Sequence, residues 1–183
     1  MSSPQTLSES ERRVVAGWAA SCAERVLPLF EASAQDERPR DAIARARAFA
    51  RGELTAADEI RRRFVAGRAA KVVDAPAAIA AARAAAQSAG VAHMGAHALG
   101  AAAYAARAAG LAAPDDPDAV AHEIRWQLSA MTDDVRAALR RLPRVGEDTA
   151  GPLGPGLLGT GVLGAIIAEL QDGLDPTSSS IQE

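Results

Sequence analysis

The residues of this sequence best suited to chemistry are two histidines four positions apart, His93 and His97. On an α-helix their side chains would point in directions about 40° apart, so both imidazoles could bind one metal ion. Tyr104 and Arg107 would fall on the same narrow stripe of that helix. A zinc protease would need a glutamate directly after the first histidine, and Met94 stands there instead. Three interpretations stay open: a metal site, a contact surface for a partner, or core and rim residues with satisfied hydrogen bonds.

A second polar group, on another predicted helix, includes the remaining histidine, His122. If the two helices faced each other, His122 or the neighbouring Glu123 could complete a metal site with the first two histidines. Aromatic residues and arginine are equally typical of the anchors of a protein interface. We predict no catalytic residue and no metal ligand, and we expect partner-binding residues at seven positions. These are His93, His97, Tyr104, Arg107, His122, Glu123 and Trp126.

The elements that would position these residues are all helices. Apolar residues recur at helical spacing, and the sequence shows neither a β-strand pattern nor an internal repeat. Ser8 with Glu11 forms a capping box for the first helix, and Thr132 can cap a short later one. Nearly every residue over 76–109 favours a helix, so we expect one long helix there, either straight or kinked at Gly90. The sequence predicts an all-α, single-domain bundle of about six to seven helices.

Composition divides the chain into five segments. We expect a flexible N-terminus over 1–7, a helical domain over 8–143, a Gly/Pro-rich linker over 144–161, a docking helix over 162–174 and a disordered tail over 175–183. The docking helix carries an apolar stripe, so it should pack either on its own bundle or on a neighbouring subunit. A homo-oligomer formed through this helix is therefore possible.

Charge and cysteine content exclude several classes of function. The formal net charge of −3 argues against a nucleic-acid-binding surface. The single cysteine, Cys22, falls on the apolar stripe of the first helix with Trp18, which favours a small buried hydrophobe over a nucleophile. No apolar run is long enough to cross a bilayer, and no signal segment is present. We predict a cytoplasmic protein that uses no cofactor, nucleic acid or membrane.

Four segments of the chain resemble a family of bacterial immunity proteins, the fifth-numbered helical class associated with polymorphic toxin systems. They are residues 18–31 with their tryptophan and cysteine, the Arg-Pro-Arg helix at 38–53, the two-histidine segment at 92–104, and Arg125-Trp126-Gln127-Leu128. The resemblance covers roughly residues 8–143. It implies an all-α protein that protects its producer by binding a cognate toxin.

We therefore expect a non-catalytic binding protein that neutralises a bacterial toxin by direct contact. Two other classes stay open. A small helical enzyme or metal-binding protein would use His93 or His97 as a general base or ligand, in a closed pocket where the histidines meet a carboxylate. An oligomeric scaffold would place its last helix on a neighbouring subunit.

Overall fold

Helices alone make up the regular structure of the computed structural model, which describes residues 3–62 and 65–175. Short 3-10 helices lie at Ala66–Lys71 and Leu157–Gly159. The all-α bundle predicted from the sequence is confirmed. Within the described residues the α-helices are α1 (Glu9–Glu31), α2 (Arg38–Ala50), α3 (Ala56–Arg62), α4 (Pro76–Gly90), α5 (His97–Ala112), α6 (Ala119–Ser129), α7 (Asp133–Arg140) and α8 (Gly161–Asp172).

Side-chain caps begin two of these helices where the sequence predicts them. The Ser8 hydroxyl accepts a hydrogen bond from the Glu11 amide at 3.3 Å, and the Ser8 amide donates to the Glu11 carboxylate at 2.8 Å. The Thr132 hydroxyl likewise accepts from the Val135 amide at 3.3 Å and begins α7. Each cap satisfies amide donors that the first helical turn leaves without a partner.

The centre of the bundle is formed by α1, α4 and α5, which pack on one another. Most buried residues of α4 and α5 are alanines, and the few large buried side chains include Phe30, Phe49 and Leu99. Alanine favours the helix and, having only a Cβ, lets neighbouring backbones approach closely. The core is therefore thin and closely packed.

The prediction of a single long helix over 76–109 is wrong, because α4 ends at Gly90 and the chain turns back to form α5. His97 packs against Gly90, where a Cβ would lie 3.0 Å from the imidazole Cγ. Two backbone hydrogen bonds to the N-terminal residues also hold this turn. The Gly95 amide donates to the Thr6 carbonyl and the Ala96 amide donates to the Gln5 carbonyl, each at 3.0 Å. These acceptors come from the far end of the sequence, so the local pattern gave no sign of them.

Gln5 joins the N-terminal residues, for which the sequence predicts only flexibility, to the Gly/Pro-rich segment 144–161. Its side chain is fully buried. The Gln5 amide nitrogen donates to the Asp148 carboxylate at 2.8 Å and to the Ala150 carbonyl at 2.6 Å, and its amide oxygen accepts from the Leu153 amide at 2.9 Å. One side chain thus connects two distant parts of the chain through three hydrogen bonds.

Close backbone contacts within the Gly/Pro-rich segment require glycine. A Cβ on Gly159 would overlap the Gly154 carbonyl oxygen, and a Cβ on Gly164 of α8 would lie 2.8 Å from the Gly159 carbonyl carbon. Leu153 and Leu158 of the segment are buried in the core. The segment predicted to act as a linker therefore makes tight contacts with itself and with the bundle.

The last helix packs on α5 and α6 of its own chain. Its buried apolar residues include those of the predicted stripe, Leu163, Ile166, Ile167 and Leu170, followed by Leu174. Of the predicted tail, only Asp175 belongs to the described residues. Among the described helices, none is both long enough and apolar enough to span a bilayer.

A pair of glycine substitutions tests this packing. We expect Gly159→Ala to lower the free energy of unfolding by about 2–3 kcal/mol, because the added methyl group has no space beside the Gly154 carbonyl. Gly17→Ala is the matched control. Its Cβ would lie 3.7 Å from Ala50 Cβ in ordinary contact, and alanine in α1 should raise stability by about 0.5–1 kcal/mol. Urea unfolding followed by circular dichroism measures both, and equal stability of Gly159→Ala and wild type would contradict the contact.

Candidate interaction site

His93 and His97 do not share one helical stripe, so this part of the sequence prediction is wrong. No helix runs through both residues: His93 is exposed in the turn before α5, and His97 is the first residue of α5. The i, i+4 geometry that would let both rings bind one metal ion is therefore lost. Within residues 3–62 and 65–175, no three histidine, cysteine or carboxylate side chains are grouped so that they could hold a metal ion.

The His97 ring is held in one orientation. Its Nδ1 lies 2.7 Å from Gln87 Oε1, and since that amide oxygen only accepts, Nδ1 carries the proton and donates. Burial and, to a smaller extent, the nearby His93 lower the pKa of His97 to about 4. Gln87 and Leu158 both lie against Gly100, where a Cβ would lie 3.0 Å from Gln87 Cδ and 2.8 Å from Leu158 Cδ1. His97 is therefore neutral near pH 7 and acts in packing.

Tyr104 and Arg107 lie further along α5. Tyr104 is only 3% exposed, and the Arg83 guanidinium lies 5.8 Å from its ring centroid. Arg107 is half-buried. Tyr104 thus belongs to the core and has almost no surface to offer a partner.

A charged and aromatic cluster forms where α1 meets α6. Glu123 is buried, with only 6% of its side chain exposed. Arg25 Nε donates to both of its carboxylate oxygens, at 3.0 Å and 3.1 Å. The Arg25 guanidinium also lies over the Trp126 ring, 3.9 Å from the centroid. We call Arg25, Glu123 and Trp126 the Arg25–Trp126 cluster. It combines an ion pair with a cation–π contact, and its outer residues reach the surface.

Buried hydrogen bonds fix α6 behind this cluster. The Trp18 indole N–H donates to the Gln127 carbonyl at 2.9 Å, and the Gln127 side-chain amide donates to the Ala102 carbonyl at 3.0 Å. These two bonds join α6 to α1 and to α5. The position of Trp126 is thus set by three helices.

Cys22 is buried on α1 close to the cluster. Burial raises the pKa of its thiol well above the usual range, and the negative charge of Glu123 raises it further. The thiol therefore stays protonated at neutral pH, as expected for a small buried hydrophobe rather than a nucleophile.

Of the residues predicted on α6, Glu123 and Trp126 meet through Arg25, whereas His122 faces outward. The His122 side chain is 59% exposed, and its Nδ1 lies 3.8 Å from an Asp116 carboxylate oxygen. Three residues that take part in these contacts, Arg25, Gln87 and Gln127, were not predicted from the sequence. A signal for Arg25 existed: it lies seven residues after Trp18, which places a charge on the apolar stripe of α1.

Comparison with protein families assigns the chain to one of them. Residues 5–134 match the family described as "Imm-5 like putative immunity protein". The match covers well over half of the chain, and the protein belongs to this family. It includes the whole Arg25–Trp126 cluster and ends before α8. No curated protein and no solved structure matches the chain.

The largely buried His97 gives the fold a measurable pH dependence. The pKa of His97 is about 4 in the folded protein and about 6.5 in the unfolded chain, so the unfolded chain takes up its proton first as the pH falls. The contribution of His97 to the free energy of unfolding is therefore fully present above pH 6.5 and is lost between pH 6.5 and about 4. The loss from this group is on the order of 3 kcal/mol.

Urea unfolding between pH 7.5 and 4 measures this loss. We expect His97→Gln to flatten the dependence relative to wild type, while the exposed His122→Gln leaves it unchanged. Parallel curves for wild type and His97→Gln would show that His97 is not the group responsible.

Proposed function

We propose that this protein neutralises a cognate bacterial toxin by binding it directly, with no chemistry of its own. Membership of the immunity-protein family over residues 5–134 is the observation that carries the proposal. The site agrees with it, since the buried polar groups of the cluster hold one another and the one cysteine is protonated in the core. The protein would act in the cytoplasm of the bacterium that makes the toxin.

The Arg25–Trp126 cluster is the part of the surface best suited to hold the toxin. Tryptophan and arginine are the residue types that most often dominate the energy of protein interfaces. Arg25 is 41% exposed and Trp126 is half-buried, so both can contact a partner. Their mutual stacking and the ion pair to Glu123 order both side chains before binding, which lowers the entropy lost on association.

Co-expression in a bacterial host tests the proposal. The toxin to use is the product of the gene adjacent to this protein's own gene, placed under an inducible promoter. We expect the wild-type protein to restore growth. Trp126→Ala should weaken the complex by roughly 30-fold or more, because the half-buried aromatic anchor is lost.

Leu111→Ala is the matched control, since it also truncates an exposed apolar side chain, 40% exposed, at the end of α5. It should protect like wild type. Size-exclusion chromatography of the purified pair checks that protection reflects a complex. Growth arrest in the presence of abundant wild-type protein, with no complex on the column, would refute toxin neutralisation by this chain.

A further inference from the structure

The geometry points to a carboxylate of the partner, from an aspartate or glutamate side chain, as the group that binds Arg25; this inference rests on the proposed function. Arg25 uses only its Nε toward Glu123. Among the described residues, neither Nη nitrogen of Arg25 has a hydrogen-bond partner. The outer edge of the guanidinium therefore retains its donors for another molecule.

The guanidinium is also held in a fixed plane. Trp126 lies against one face at 3.9 Å from the ring centroid, and Glu123 holds the inner edge. A planar pair of N–H donors matches the two oxygens of a carboxylate, and such bidentate pairs are among the strong hydrogen bonds of proteins. Because the side chain is already ordered, a partner carboxylate would bind it with little further loss of freedom.

A single carboxylate fits this surface better than a nucleic-acid backbone does. Binding of nucleic acid depends on several cations that each contact a phosphate. Here the buried Glu123 balances the charge of Arg25, and the preceding residue, Glu24, is paired with Arg47. The whole chain carries a formal net charge of −3. One ordered guanidinium beside an aromatic ring suits an acidic side chain within a mainly apolar protein contact.

Arg25→Lys tests the inference without leaving Glu123 unpaired in the core. Lysine keeps the positive charge beside Glu123 but lacks the planar pair of donors. We expect its complex with the purified toxin from the adjacent gene to be at least about 10-fold weaker by calorimetry. Arg51→Lys is the matched control, because Arg51 also forms an ion pair, with the exposed Glu53 on another surface. It should bind within about 2-fold of wild type.

Substitutions in the toxin identify the partner group. Each surface aspartate and glutamate of the toxin is changed to its amide in turn. One such change should weaken binding to the wild-type protein and abolish the difference between wild type and Arg25→Lys. If no toxin carboxylate couples to Arg25 in this way, the inference is wrong, and loss of binding on nuclease treatment would instead assign a nucleic-acid contact.

A second variant separates binding from folding. Arg25→Gln with Glu123→Gln removes both charges, so no unpaired charge stays buried. This double variant should show a cooperative thermal unfolding transition, as a folded protein does. Its affinity for the toxin should be equal to or lower than that of Arg25→Lys. Wild-type affinity in both variants would overturn the inference and leave the proposed function standing, whereas failure of wild type itself to bind the toxin would overturn the proposed function.

Discussion

The close approach of α1, α4 and α5 is the constraint on which the rest of the structure depends. Their shared core is lined mainly by alanine, so each helix pair gains little apolar burial per residue and must come close to gain it. Because the core has few large side chains, hydrogen bonds from buried glutamine side chains help to hold its elements together. Gln5 connects the N-terminal residues to segment 144–161, and Gln127 connects α6 to α5. If the backbones move apart, these hydrogen bonds break and leave buried amide groups without partners, which lowers the stability of the fold.

The same constraint explains why the candidate site lies on α1 and α6. The α4–α5 turn places His97 against Gly90 and leaves His93 outside both helices, so the two histidines do not form a site together. At the rim of the core, the buried Glu123 needs a cation, and Arg25 supplies it from α1. Trp126 then covers one face of that arginine. A requirement of folding thus leaves an ordered arginine and a tryptophan at the surface, which is the combination that protein partners use.

The fold was largely predictable from the sequence, and the site only in part. Helical periodicity and the caps at Ser8 and Thr132 depend on nearby residues, so the all-α class followed from local pattern. The break after Gly90 did not, because the groups that hold the turn are carbonyls of Gln5 and Thr6. Glu123 and Trp126 were predicted as partner-binding residues, yet Arg25 was not. Its place on the apolar stripe of α1 marks Arg25 as unusual, but the sequence does not tell which carboxylate it pairs with.

Amide hydrogen exchange tests most directly whether the toxin covers the Arg25–Trp126 cluster. Exchange is measured on the wild-type protein alone and in complex with the toxin from the adjacent gene. We predict that binding slows exchange in peptides covering residues 19–29 of α1 and 119–129 of α6, with little change in α2. Protection confined to the α4–α5 turn or to segment 144–161, with α6 unchanged, would contradict it.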